Sequence, residues 1–272
     1  MENVLGVAVA PRTVAERTQI TVRPSFRRIF GLPLCDLQWE EALIHLRSLI
    51  NRDGRQTVLS FVNAHNANVM LRDPTYRAAL SRQLVFPDGI GVNIASRVLT
   101  GSQFPANLNG TDLIPALLTY VGQPLRIGML GARREVLEQA MSNYRRNTPW
   151  HRFFAVSDGY FDKDNCEPVL DRIRSLDLDV LIIGMGTPLQ EVWVDRHIKP
   201  EHASLVITGG AVFDFASGAV SRAPITWRQS GLEWLHRLRL EPRRLWKRYV
   251  LGIPLFFVNL LLWKWVLRNE QL

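Results

Sequence analysis

A chain of 272 residues, 47% hydrophobic and 21% charged, holds enough apolar material for one large core, or one core and an appendage, and is not a disordered composition. Its two cysteines, Cys35 and Cys166, match neither a disulfide framework nor the Cys/His spacing of a zinc site. The net charge is +8, and residues 222–268 carry all of it, with ten Lys/Arg against two acids.

In chain order, residues 1–30 show no strong pattern, and a loose N-terminus is expected. The apolar run 4–11 lacks the flanks of a signal peptide, so a cytoplasmic protein is expected. Asp36 reads as a helix N-cap, followed at helical spacing by Leu37, Ala42, Leu43, Leu46 and Ile50. Residues 57–62 (TVLSFV) read as a strand, 64–71 and 76–81 as helices, 84–86 as a short strand and 90–99 as a helix. The alternation continues through helix 111–120, strand 125–130, helix 133–144, strand 153–157 and helix 168–175. It closes with strand 179–185, helix 188–197 and strand 205–208. Short apolar strands alternating with helices predict a Rossmann-like parallel α/β sheet with helices on both faces.

The composition changes near residues 221–224, which divides the chain into a core, 1–221, and a basic, Trp-rich appendage, 222–272. Pro242 suits the first turn of a helix, so 232–240 and 242–250 read as two helices with an elbow between them. The charge-free run 249–263 is fifteen residues long and contains Pro254 and Asn259. That is short of the roughly 20 residues of a helical span, so a helix lying in the interface is expected, with a single span left open. Five of the eight Trp fall in the appendage, as expected for a peripheral protein on an anionic inner-membrane surface. Its cations have two readings: a lipid-facing surface, or, for some arginines, a planar fork that meets phosphate in a site.

In an open parallel sheet, ligands bind beyond the carboxyl ends of the strands. The residues that follow the strands here are Asn63-Ala-His-Asn66, Pro87-Asp88-Gly89, Gly131-Ala-Arg, Gly186-Thr-Pro and Gly209-Gly210. Polar and glycine-rich residues on one edge suit a nucleotide or sugar site. Asp88, between proline and glycine at a strand end, is either the N-cap of the next helix, a catalytic base, or both. Gly184 and Gly186 form a turn able to face phosphate. No GxGxxG or Walker lysine supports dinucleotide or P-loop chemistry. The acid pairs Asp177/Asp179 and Asp162/Asp164 read as solvated loop charge, and the histidines lack ligand spacing, so no metal and no cofactor are expected.

Taken in order, these blocks resemble the bacterial WecG/TagA/CpsF glycosyltransferase family. The likeness is carried by Asn63-Ala-His, Pro87-Asp88-Gly89-Ile-Gly91, Asn109-Gly110-Thr111-Asp112-Leu113, Ser157-Asp-Gly159-Tyr-Phe161, Gly184-Met-Gly-Thr-Pro-Leu-Gln190-Glu191, Gly209-Gly210 and Leu232-Glu-Trp234-Leu-His-Arg237. The resemblance implies an inverting, metal-independent transfer from a UDP-sugar to a polyprenyl-diphosphate-linked sugar, in exopolysaccharide or surface-glycan assembly. UDP-glucose is favoured slightly over UDP-N-acetylmannosamine or its uronate. By resemblance Asp88 is the catalytic base. Asn63, Thr111, Asp112, Gly184, Gly186 and Gln190 belong to the substrate pocket, and Arg237, Arg244 and Lys247 meet the diphosphate.

Three positions depart from the family pattern: Phe61 in place of a threonine, Asn107 in place of a basic residue, and Lys247 in place of an arginine. Two other classes compete with the enzyme, a nucleic-acid-binding α/β protein and a non-catalytic membrane scaffold. The charge lies beside an apolar run and no RNA- or DNA-binding signature is present, so no nucleic acid partner is expected. Whether the chain forms a homo-oligomer is left open.

Overall fold

The computed structural model describes residues 22–269, apart from 52, 225, 228 and 229 and the side chain of Arg268; the N-terminal expectation for 1–21 lies outside the described residues. The chain enters through an antiparallel hairpin, β1 (Ser25–Ile29) and β2 (Leu32–Asp36), whose turn places Phe30 and Gly31 at φ 51° and 78°. Next come α1 (Trp39–Leu49), β3 (Thr57–Val62), α2 (Ala64–Met70), α3 (Pro74–Ser81), β4 (Leu84–Pro87), α4 (Ile90–Thr100) and α5 (Gly110–Tyr120). The second half holds β5 (Arg126–Gly131), α6 (Arg134–Asn147), β6 (Arg152–Ser157), α7 (Glu167–Ser175), β7 (Leu178–Gly184), α8 (Leu189–His197), β8 (Ala203–Thr208) and α9 (Val212–Ser217).

Strands β3 to β8 form one parallel sheet in the order β4-β3-β8-β7-β5-β6. All six residues of β8 are buried, because helices cover both faces, and this is why the central strands read as unbroken apolar runs. One face packs under α1, α5, α6 and α9 through Leu46, Ile114, Leu137 and Phe213. On the other face, one cluster gathers Val62, Met70, Val85 and Val92 of β3, α2, β4 and α4, and another gathers Leu170, Ile183 and Val194 of α7, β7 and α8. Neighbouring β3 and β8 therefore send their chains to opposite faces, α2 to one and α9 to the other. The crevice opened between those two exits is the switch point at which α/β sheets bind ligands.

Two local expectations need correction. Residues 25–29 form a strand. Asp36 does not cap α1: it pairs with Arg27 at 2.5 Å, and Gln38 takes the N-cap position, its backbone N–H donating to Glu41 at 2.8 Å.

Past residue 222 the chain forms α10 (Glu233–Leu240) and bends at Glu241. It continues as α11 (Pro242–Trp246), a π turn (Lys247–Leu251) and α12 (Gly252–Asn269). The elbow falls where Pro242 predicts it, but the second helix does not stop at residue 250. Pro242–Leu267 is one helical stretch of 26 residues, long and apolar enough to cross a bilayer by length and composition. In the structure it lies against the body, with Phe256 and Leu260 fully buried beside α2 and the hairpin. Asn68 on α2 donates to the Gly252 carbonyl at 2.7 Å and accepts from Asn259 at 3.1 Å, a polar clasp that sets the register of α12.

Candidate active site

Asp88 follows β4, and its backbone N–H donates to the Val62 carbonyl at 2.9 Å, extending the β3–β4 ladder by one bond. It caps nothing, since Gly89, at φ 84°, occupies the N-cap of α4 and no side chain bonds there. Its carboxylate accepts from Asn63 Nδ2 at 3.1 Å. Asn63 in turn caps α2, its side-chain oxygen accepting from the backbone N–H groups of His65 and Asn66 at 3.0 and 3.2 Å. A side chain that both caps a helix and holds a carboxylate ties the acid to the rigid end of β3.

Burial pushes the Asp88 carboxyl above the usual carboxylate range. The bond from Asn63 and the charges of Arg248 and Arg237 act in the opposite direction, and Asp112 adds to the rise. Burial, then Arg248, lowers the His65 imidazole to about 4, so it is neutral at physiological pH.

Asp88 stands where two cavities meet, one of about 390 Å³ and one of about 260 Å³. Asn63, His65, Asp88, Thr111, Arg237 and Arg248 border both. The smaller is polar and lies over the ends of β3, β7 and β8, between Gly186-Thr187, Gly209-Gly210 and Arg244. The larger is apolar, with walls from Ile90 and Ile94 of α4 facing Trp234, Tyr249, Ile253 and Phe257 of the C-terminal helices.

The residues expected in the site divide by place. Asp88, Asn63, Thr111, Gly186, Gln190, Arg237 and Arg244 line the cleft. Gly184, Asp112 and Lys247 do not. Gly184 is a packing position: a Cβ there would stand 2.8 Å from the Phe213 ring, and its carbonyl accepts from Ala132 at 2.9 Å. Asp112 accepts from Asn109 at 3.0 Å and pairs with Arg222, which reaches Glu233 at 3.1 Å. It ties the start of α5 to the appendage. Lys247 is exposed, its ammonium 5.7 Å from the Trp246 ring.

Gln190 is 2% exposed, and its carbonyl accepts the backbone N–H groups of Met185 and Gly186 at 3.2 and 3.0 Å. Its amide donates to Glu191 at 2.8 Å, so it shapes the turn beneath the polar cavity. Glu191 also accepts from Thr187 at 2.9 Å, and Asn66 bridges Thr187 and Tyr76 at 3.0 Å each. Burial raises the Glu191 carboxyl above its ordinary range, and the bonds from Gln190 and Thr187 act in the opposite direction.

Arg248 is the site residue that spacing missed. It borders both cavities, and among the described residues its buried Nε has no hydrogen-bond partner, nor has that of Arg237. Two guanidinium groups at the rim of a polar cavity have the donor chemistry that suits an anionic group. Arg222 and Arg237 stand 5.2 and 5.1 Å from the ring of Phe215, which steadies both guanidinium groups. The four-residue step from Arg244 to Arg248 on one helix was the available signal.

Of the three departures, Phe61 lines the polar cavity and packs where a Gly110 Cβ would stand 2.9 Å from its ring, so glycine at 110 makes the bulk of Phe61 possible. Asn107 accepts from the Gly89 N–H at 2.8 Å, holding the loop that carries Asp88. Among the described residues no group of three or more His, Cys, Asp or Glu side chains is placed to hold a metal ion.

Comparison with known proteins bears on this cleft. The family model described as Glycosyl transferase WecG/TagA/CpsF matches residues 27–270. An N-acetylglucosaminyldiphosphoundecaprenol N-acetyl-beta-D-mannosaminyltransferase of Bacillus spizizenii is 30% identical over 234 residues, covering 85% of this chain and 88% of the relative. The enzyme of the same name from Bacillus subtilis is 33% identical over 208 residues, covering 75% and 78%. A parallel α/β fold, a cleft at its switch point and a family match across nearly all described residues lead to one conclusion: the chain belongs to the WecG/TagA/CpsF family and is a glycosyltransferase.

Proposed function

We propose that the protein moves a sugar from a UDP-sugar onto a polyprenyl-diphosphate-linked sugar with inversion at the anomeric carbon, and that Asp88 is the general base. The observation that carries this reading is the position of the Asp88 carboxylate between a polar cavity rimmed by arginines and an apolar one. The polar cavity suits a nucleotide diphosphate, and the apolar cavity suits an acceptor whose anchor is a hydrocarbon chain.

In the reaction, the acceptor hydroxyl attacks the donor's anomeric carbon and its proton passes to Asp88. The bond to the UDP phosphate oxygen breaks, and its electrons remain on the diphosphate. Arg237, Arg244 and Arg248 meet that charge in a water-poor site, where fixed donors act most strongly. Asn63 keeps the base aimed.

The two relatives support a different donor from the glucose favoured by sequence. Both carry N-acetylmannosaminyl transfer to an N-acetylglucosaminyl-diphospho lipid in their names. We therefore assign N-acetylmannosamine as donor sugar and lipid-linked N-acetylglucosamine as acceptor, on the cytoplasmic face of the membrane that holds the lipid. The helix α12 rests there flat, one face on the body and the other bearing exposed Val258, Leu261, Leu262, Trp265 and Val266.

The test is a panel of UDP-sugars offered with polyprenyl-diphosphate-linked N-acetylglucosamine and with the glucose analogue, followed by linkage analysis. A β-linked N-acetylmannosaminyl product is expected. Glucosyl transfer to lipid-linked glucose would overturn the donor and acceptor assignment, and no transfer from any UDP-sugar would overturn the nucleotide.

A further inference from the structure

We infer that the tip of the β1–β2 hairpin and α3 form a second membrane contact, a seat for the phosphates of anionic phospholipids at the end of α12 remote from the cleft. The inference rests on the flat-lying helix proposed above and adds what fixes its orientation. At the hairpin turn Arg28 donates to the Gly31 carbonyl at 3.0 Å, and Arg77 of α3 donates to the Phe30 carbonyl at 3.5 Å. Both side chains are exposed, and neither has an acidic partner among the described residues.

Trp263 closes the group. A Cβ on Gly31 would stand 3.1 Å from the Arg77 guanidinium and 3.7 Å from the Trp263 ring, so glycine at φ 78° lets the three meet. Phe30 holds the tryptophan edge-on at 5.8 Å and Phe256 at 5.7 Å, which locks the hairpin to α12. Two exposed guanidinium groups, without an acidic partner among the described residues, stand beside a half-buried tryptophan at the border of an exposed apolar stripe, and this matches the chemistry of a lipid headgroup above its acyl chains.

The placement gives the seat a purpose. Gly252, Ile253, Phe256 and Phe257, in the first two turns of α12, line the apolar cavity, and Trp263 lies about 9 Å beyond Phe257 along the helix. One contact alone would let the body roll about the helix axis. A cationic contact at the far end stops the roll and keeps the apolar cavity open to the bilayer that carries the acceptor.

The full-length protein is sedimented with phosphatidylcholine vesicles with and without phosphatidylglycerol. Wild type and Arg28→Gln/Arg77→Gln are compared with Arg134→Gln/Arg146→Gln, which removes equal charge from α6, at the opposite edge of the sheet. The hairpin variant is expected to lose roughly thirty-fold in partitioning onto the anionic vesicles, about five-fold per arginine. Its binding to phosphatidylcholine and its transfer to a short-chain, water-soluble acceptor are expected to stay unchanged, and the α6 variant to lose less than about two-fold. Equal losses in the two variants, or none in the hairpin variant, would overturn the seat. If wild type bound neither vesicle, the flat helix would fall with it, while transfer to the soluble acceptor would still report on the Asp88 chemistry.

Discussion

The two cavities that meet at Asp88 are built from different material. The polar one lies on the ends of three parallel strands, and its floor is cross-braced by the bonds joining Tyr76, Asn66, Thr187, Glu191 and Gln190. The apolar one takes its core walls from α4 and from the starts of α2 and α5, and its other walls from α10, the π turn and α12. Those walls are held by the Arg222 pairs to Asp112 and Glu233, the Asn68 clasp and the burial of Phe256 and Leu260. A polar side made of sheet, proposed here for the donor, and an apolar side made of docked helices, proposed for the acceptor, should respond differently to change.

The largest effect is expected where the cavities join. Asp88→Asn keeps the shape and removes the base, so kcat should fall by about 10²–10⁴-fold while UDP-sugar binding stays intact. Near-wild-type turnover in a folded Asp88→Asn protein would take the base role away from this residue. Arg248→Gln, which touches both cavities, should cost about 10²-fold in kcat/KM, whereas Lys247→Gln should stay within about two-fold. The reverse order would place the π turn one residue out of phase.

The contrast between the cavities is sharpened by one substitution in each. Ile253→Asp should raise KM for the lipid-linked acceptor by about ten-fold and leave the donor's unchanged. Thr187→Val should do the opposite, because Thr187 borders only the polar cavity. Parallel changes in both constants would mean that the two sides are not separate. Removal of everything after residue 220 is a poorer test, since it strips Phe256 and Leu260 from a buried cluster and unfolding would mimic loss of function.

The smallest effect is a displacement of the pH profile. As the proposed general base, Asp88 must be ionised to act, and burial raises its pKa, so kcat/KM should fall with decreasing pH at values above the usual carboxylate range of about 4. Arg248 favours the ionised form, so its residual activity in Arg248→Gln should fall off at higher pH than in wild type. Asp112 opposes ionisation, so Asp112→Asn should move the limb the other way. A limb that ignores both changes would belong to another group.

Much of the frame was legible residue by residue. Strands such as TVLSFV and the run around Ile182 read correctly because a strand covered on both faces must be apolar throughout. Asp88 stood out because parallel strands bring their following residues to one edge. The β1 strand was not legible: Ser25, Phe26 and Arg28 are exposed, and its burial comes from Ile29 and from Phe30 just beyond it, against a helix more than 200 residues later. The length of the C-terminal helix was hidden by Pro254. Pro254 lies three residues past the π turn, inside the continuous helical stretch Pro242–Leu267. Arg248, four residues after Arg244, comes to the cleft, while Lys247 is exposed.

By itself, then, the sequence determined the sheet, the edge of the sheet that binds, the carboxylate at that edge and the amphipathic basic end. Each follows from local periodicity or from the residue types that adjoin a strand. Only the tertiary structure decided that Asn63 bonds to Asp88, that Gln190 bonds to its own turn, that Arg222 fastens the appendage through Asp112, and that the apolar side of the cleft is closed by α12. Apart from the Gln190 turn, these depend on which side chains meet across 25 to 191 residues of chain, and no local rule of spacing contains that information.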